Sequence, residues 1–362
     1  MTWGKQDGMV VHEQDPFNAE APPALLDGHF ITPVELFYSR NHGPVPDLDP
    51  ADWTLHVDGQ GKTPLVLSLA ELHEFESVTV TATLQCAGNR RAAMATVREI
   101  PGEDPWGPGA TSTATWTGAR LADVLAAAGA DPDAADRHVA FDAYDVSQLA
   151  EPPQTYGSSI PLAKARGAEV LLAWEMNGEH LTPVHGAPVR VVVPGYIGAR
   201  SVKWVNRITV RPTASDNYFQ ATAYRVLPPD ADPSQAGPGD GISLGPVALN
   251  TAILRPVDGT TLAAGPVEVA GYAYAGGGRT VARVDVSADG GRSWTQADLA
   301  HRDQIWTWTP WRASFDLGQG SHALVVRAWD DTGALQPESP ATLWNPKGYV
   351  NNSWDRISVE VR

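Results

Sequence analysis

The sequence predicts an α+β chain, a mixed α/β unit followed by an immunoglobulin-like antiparallel β-sandwich. Three observations predict it. Up to about residue 226, period-2 apolar runs are interleaved with short helix signals. From Leu227 to Gly245 the chain is rich in Pro, Asp and Gly and has no periodicity, which reads as a linker. Beyond it, strand-like runs at 267–274, 281–288, 306–315 and 322–329 are spaced by turns such as Asp289-Gly290-Gly291 and Asp331-Thr332-Gly333, with almost no helix signal. The expected organisation is an N-terminal arm over 1–30, a first unit over 31–226, a linker over 227–245 and a sandwich over 246–362.

Composition narrows the function classes. With 362 residues, 43% of them hydrophobic, the chain can bury two cores. The net charge of −16 argues against a nucleic-acid partner. An anionic substrate would therefore need a local concentration of the 26 lysines and arginines. The single cysteine excludes an internal disulfide and any multi-cysteine metal site. The start, MTWGKQDGMVVHEQD, has neither a basic nor an apolar signal region, and no run is long enough to span a membrane. The expectation is a soluble, cytoplasmic protein, or a periplasmic one had a signal been removed.

In chain order, residues 1–30 are polar with prolines at 16, 22 and 23, and read as an extended arm over the body. Leu36 to Ser39 reads as strand-like, and Gly43, Pro44 and Pro46 force an irregular loop after Arg40, Asn41 and His42. Residues 53–57 read as a strand, with Asp58-Gly59 as its turn. Ser68 and Glu71 form a capping box opening a short helix. Val78, Val80, Ala82 and Leu84 alternate with threonines, a strand with one buried face, and Cys86 falls in phase with that face. The chain then turns at Ala87-Gly88-Asn89, which brings Arg90 and Arg91 back towards the thiol. Guanidinium groups there favour the thiolate, a soft ligand for a transition metal, and suit an oxyanion. Read alone, Cys86 is as well explained as a small buried hydrophobe.

Trp106 sits in a Gly/Pro-rich loop. Residues 117–128 read as an amphipathic helix with Leu121, Val124, Leu125 and Ala128 on one face and Gly129 ending it. A strand is expected over 138–145, a helix-opening turn over 156–161, and an apolar strand over 170–174 with Asn177-Gly178 as its hairpin turn. Val191, Val192 and Val193 read as a buried strand. The loop Pro194 to Arg200 carries glycines that let backbone N–H groups approach a phosphate.

The segments SRNHGPVP (39–46), TLQCAGNRR (83–91), WTGARLADVL (116–125), YGSSIPLAKA (156–165), LLAWEMNGEHL (171–181), HGAPVRVVVPGYIGARSVKW (185–204) and SADGGRSW (287–294) resemble, in order, the sulfite oxidase family of molybdenum-cofactor enzymes, specifically a haem-free bacterial-type member. The resemblance runs from about residue 30 to the end, and the eukaryotic-type assimilatory nitrate reductases share most of it. It implies a molybdopterin-binding first unit and a dimerising sandwich. It implies Cys86 as the molybdenum ligand, with the other sulfurs from the dithiolene of molybdopterin. Tyr38, Ser39, Arg40, Asn41, His42, His185, Arg190, Ser201, Val202 and Lys203 match cofactor contacts. Asp145 matches the acidic pterin contact, with Asp142 as its rival. Arg40, Arg91, Trp106 and Tyr224 match the substrate pocket. Asn345-Pro346-Lys347-Gly348 stands where the family has Asn-Leu-Arg-Gly, so Lys347 keeps the charge and loses the two-pronged fork.

The implied function is oxidation of sulfite to sulfate by oxygen-atom transfer on a molybdenum cofactor, without haem, in a homodimer that passes electrons to a separate acceptor such as a cytochrome. The alternative on the same cofactor is a nitrate reductase-like or other oxyanion or sulfoxide activity. A third reading, a metal-free immunoglobulin-like binding protein, conflicts with the cysteine set in CAGNRR.

Overall fold

The computed structural model describes residues 3–59, 64–131, 136–301 and 303–362. Residues 1 and 2 of the expected arm lie outside the described residues. The first unit holds two five-stranded sheets. In one, Ser77–Gln85 pairs with Thr111–Arg120, which pairs with Leu171–Met176; this last strand also carries Glu179–His180 and Arg190–Val192, all antiparallel. In the other, the order is Leu65–Ser68, Thr54–Asp58, Val205–Arg211, His138–Ser147 and Gln154–Pro161, with one parallel pair, Thr54–Asp58 beside Val205–Arg211. The α-helices are short, the longest of those described being Leu121–Ala127. No helix among the described residues is long and apolar enough to cross a membrane.

The sandwich stacks Asn250–Arg255, Gly265–Tyr274, Thr309–Leu317 and Asp298–Leu299 against a second sheet centred on Val281–Ser287, Gly320–Asp330 and Asp355–Val361. Its core is Val269, Val284, Val286, Trp311, Leu324 and Val326. It is not wholly antiparallel, since Thr261–Leu262 runs parallel to Asp355–Val361.

Several local expectations change in three dimensions. Residues 117–120 continue the strand Thr111–Arg120, and the helix begins only at Leu121. Ladder bonds to two neighbouring strands outweigh the helical apolar pattern there. Residues 156–161 belong to the strand Gln154–Pro161 rather than a turn. Around Leu36 to Ser39 the only strand-like pairing is a single bridge, Ser39 to Ala19. The arm is a hairpin, Val10–Gln14 with Phe17–Glu20, whose second strand is fully buried. The expected linker is closed at its neck by Arg225–Val226 pairing with Ile242–Ser243. The capping box forms as read, with Glu71 N–H donating to Ser68 Oγ and Ser68 N–H to the Glu71 carboxylate.

The strand that leads to Cys86 is buried on both faces over its last four residues, Ala82 to Gln85. Ala82, Leu84 and Cys86 pack with Phe37, Trp106 and Trp116. On the opposite face Thr83 meets the sandwich: its N–H donates to Trp306 O at 2.9 Å and its hydroxyl accepts from Trp308 N–H at 2.7 Å. Arg90 departs from its expected place beside the thiol. It sits at φ 64°, in the left-handed region, and its side chain leaves in the opposite direction. Buried in the sandwich, it donates to Asn250 Oδ1, Ser353 O and Trp354 O, and pairs with Asp355 at 2.9 Å. Replacing Arg90 with Met removes one partner of a buried pair and is expected to lower the free energy of unfolding by about 3–5 kcal/mol, read by urea denaturation of the purified protein.

Candidate active site

The loop Tyr38 to His42, the Cys86 turn, the His185–Arg190 segment and the Gly198–Trp204 segment close around one cavity. It brings together Tyr38, Ser39, Arg40, Asn41, His42, Cys86, Asp145, His185, Arg190, Ser201, Lys203 and Tyr224. Asp142 faces a separate groove with Arg211 and Asn217, so only Asp145 of the two acids reaches this cavity. Four expected site residues are not in its wall. Val202 follows Ser201 just after the 3-10 turn Gly198–Arg200 and packs into the core, while its carbonyl accepts from Val191 N–H. Trp106 lies behind Cys86 in the apolar cluster, edge-on to His12. Arg91 is buried behind the turn. Lys347 lines an outer groove that shares Arg40, His42 and Tyr224 with the inner cavity.

The cavity concentrates positive charge. Arg190 donates to His185 O at 3.0 Å and Ser201 O at 3.1 Å, and burial lowers it to about 10 despite Tyr38. Lys203 donates to Asn41 Oδ1 and to Val184 O. Burial and then Arg190 hold its pKa well below the usual lysine range, with Asp145 opposing. Burial raises Asp145 to about 6 against the pull of Lys203. Burial also keeps His42 and His185 neutral, beside Arg40 and Lys203 in one case and Lys5 in the other. Burial alone would depress Arg40, but Tyr224, Asp104, Cys86 and Glu103 together hold it charged. His42 Nε2 and the Tyr224 hydroxyl lie 2.6 Å apart.

The Cys86 thiol does not behave as proximity to arginine alone suggests. Burial raises its pKa and outweighs Arg91, the Gly88 N–H at 3.4 Å and Arg40, which favour the thiolate. A bound cation at sulfur would reverse that balance. Among the described residues no three His, Cys, Asp or Glu side chains converge, so the chain itself offers one soft donor. The remaining donors to a metal here must arrive with a cofactor.

The residues present fit an anionic, polar cofactor. Ser39 Oγ and Asp145 Oδ1 are buried and have no hydrogen-bond partner among the described residues. A Cβ at Gly198 would come within 2.5 Å of the Tyr38 hydroxyl, so a side chain there would displace Tyr38 from the wall. Arg190 and Lys203 suit a phosphate, and Ser39 and Asp145 suit a heterocycle with donor and acceptor edges.

Sequence reading missed several contributors. Tyr156 stacks on His42 at 4.8 Å, although its segment was noted as a motif. Glu103 and Asp104, in the loop before Trp106, line the outer groove; two acids beside an expected pocket residue were the available signal. Lys5 reaches in from the arm and donates to Val34 O, Phe37 O and His185 Nε2, the last at 2.7 Å. Burial lowers it to about 7, with Glu35 opposing. No local pattern marks it, because its position is set by the long-range docking of the arm.

Residues 42–219 match the oxidoreductase molybdopterin binding domain, and residues 245–362 match the Mo-co oxidoreductase dimerisation domain. With this cavity and its lone thiol, the two matches define a molybdenum-cofactor oxidoreductase. The chain is 37% identical to sulfite oxidase of Arabidopsis thaliana, covering 99% of this chain and 95% of that protein. It is 45% identical to mitochondrial sulfite oxidase of Homo sapiens, covering 99% of this chain and 66% of that one, so it spans just under two thirds of its mammalian relative. Nitrate reductase [NAD(P)H] of Hordeum vulgare is 39% identical, with 99% of this chain and 43% of that protein covered. The crystal structure of the sulfane dehydrogenase SoxCD from Paracoccus pantotrophus superposes with a TM-score of 0.80 at 28% identity, over 97% of this chain and 88% of that one. The chain belongs to the sulfite oxidase family of molybdenum-cofactor oxidoreductases.

The Asp145 shift has a measurable consequence in cofactor-free protein. Its pKa is raised above the unfolded value of 3.8 to about 6, so the folded state holds the extra proton between those values. Stability therefore falls as pH rises through that window, by on the order of 2–3 kcal/mol. Asp145→Asn is expected to flatten this slope, read by urea denaturation at pH 4 and pH 6.5.

Proposed function

We propose that this chain oxidises sulfite to sulfate with a molybdenum cofactor held in the Cys86 cavity. The observation that carries the reading is the meeting of one buried thiol with Arg40 and Tyr224, which line both the inner cavity and the outer groove. When bound, the molybdenum cofactor supplies two-electron oxygen-atom transfer. Cys86 offers the thiolate, with Arg91, Gly88 N–H and Arg40 favouring its charged form. Arg190 and Lys203 bind the cofactor's phosphate, Ser39 and Asp145 its pterin. Arg40, charged and standing where the two spaces join, orients a small oxyanion and offsets its charge. Tyr224, fixed against His42, directs a hydroxyl into the same space. Trp106 supports the Cys86 turn from behind. Arg91 acts from behind the turn, its guanidinium pressed against Gly88, so that a Cβ there would sit 2.6 Å from Nη2.

In our reading residues 31–226 form the catalytic unit and 246–362 a dimerisation sandwich, joined through 227–245. The two electrons then leave to a separate acceptor protein such as a cytochrome. Nitrate is the second reading, favoured by the similarity to the barley enzyme.

The test is sulfite-dependent reduction of ferricyanide and of cytochrome c, run beside nitrate-dependent oxidation of a reduced viologen. Turnover with sulfite alone supports the proposal, and turnover with nitrate alone overturns it. Cys86→Ser is expected to abolish turnover while the circular dichroism spectrum and melting temperature persist. Arg91 faces the outer groove through Nη2, which pairs with Glu103 at 3.1 Å, and Arg91→Gln is expected to raise KM for sulfite by roughly tenfold or more, equivalent to the loss of one charge-assisted hydrogen bond.

A further inference from the structure

Glu103 occupies an unexpected place at the mouth of the cavity. One carboxylate oxygen, Oε2, lies 3.1 Å from Arg91 Nη2, and the other, Oε1, lies 3.2 Å from Lys347 Nζ. The carboxylate therefore bridges two of the three cations expected to receive the substrate, with one oxygen on each. Two oxygens of a small oxyanion would bridge the same pair in the same manner. Arg91 has little freedom to turn elsewhere. Its Nε donates to Lys347 O at 2.9 Å, its Nη1 to Asp104 O at 2.8 Å, and Tyr349 lies across its face at 5.2 Å. The third cation, Arg40, is held more loosely, its ion pair being with Asp104 at 4.0 Å. Glu103 by contrast lines the outer groove, with 14% of its side chain exposed, and has room to swing outwards.

We propose that Glu103 is a resident competitor for the oxyanion site. It holds Arg91 and Lys347 while the site is empty, yields them when a small oxyanion enters, and returns to help expel the product. This rests on the reading of Arg40, Arg91 and Lys347 as the oxyanion pocket. A lysine at 347 suits the device. It presents a point charge that one carboxylate oxygen can cap, leaving the other for Arg91. The exchange also selects by charge. Glu13, Asp15 and Asp104 line the same groove, and against whatever charge they leave, displacing Glu103 makes the site one unit more positive. A doubly charged oxyanion therefore gains more from its departure than a singly charged one.

The experiment is isothermal titration of inorganic sulfate into metal-replete wild type and Glu103→Gln at low ionic strength, with nitrate as the singly charged comparator. Sulfate affinity is expected to rise about tenfold or more in the variant, and nitrate affinity by clearly less, the scale of a close charge pair removed from a binding site. KM for sulfite falls in parallel without a rise in kcat, because product leaves more slowly. Glu103→Asp, too short to span both cations, gives a smaller tightening of the same kind and serves should the glutamine variant not fold. A scaffolding role alone would lower the melting temperature and leave anion affinity unmoved. Unchanged or weaker sulfate binding in folded, metal-replete variant overturns the proposal. Sulfate binding needs no turnover, so tightened binding without sulfite oxidation overturns the activity reading and leaves the role of Glu103 standing. Sulfite oxidation with unchanged sulfate affinity does the reverse.

Discussion

Positive charge held out of water organises the first unit. Arg190 is buried and Lys203 half-buried around one cavity, with Asp145 the single carboxylate that opposes the depression of Lys203. Their hydrogen bonds inside the protein run to carbonyl and amide oxygens, which solvate a cation without neutralising it. Such a cluster costs several kcal/mol per uncompensated ion, and the chain around it carries a net charge of −16. An anionic cofactor with a phosphate at one end offsets that cost. Burial first, and then the same charge, keep His42 and His185 neutral, and the charge ties affinity for the cofactor to the fold.

The second constraint is the way the Cys86 turn is held between two units. The strand before it gives its Thr83 to the sandwich, and Val350 N–H donates to Ala87 O just after the cysteine. Asn89 donates to the Tyr272 hydroxyl, which itself donates to Pro108 O. Within the turn, the left-handed conformation of Arg90 sends two consecutive arginines opposite ways. Arg90 anchors the sandwich, and Arg91 stays beside the thiol. One backbone torsion thus separates a structural cation from a functional one, and it makes the sandwich part of the site's support.

Much of this was legible in the sequence. The strand phase placed Cys86 inward, the loss of helical periodicity after residue 245 marked the sandwich, and the ordered motifs named the family before any coordinates. Most of the residues that line the cavity lie in those motifs. What the sequence left obscure depends on direction rather than position. Val202 sits in the right segment but faces the core, and Arg90 sits beside Arg91 but leaves the site. Lys5 and Glu103 reach the site from a hairpin and a loop whose local patterns carry no chemistry. The strand over 111–120 was partly hidden because its end carries a helix-compatible apolar spacing, and pairing on both edges decided the outcome.

The central claim is that Cys86 binds molybdenum within a cofactor seated on Arg190 and Lys203. Molybdenum X-ray absorption on the purified wild type and the Cys86→Ser variant tests it most directly. The account predicts about one molybdenum per chain, three sulfur neighbours in the wild type and one fewer in the variant. An unchanged sulfur count in the variant, or a wild type made in cofactor-producing cells that holds no molybdenum, would contradict it.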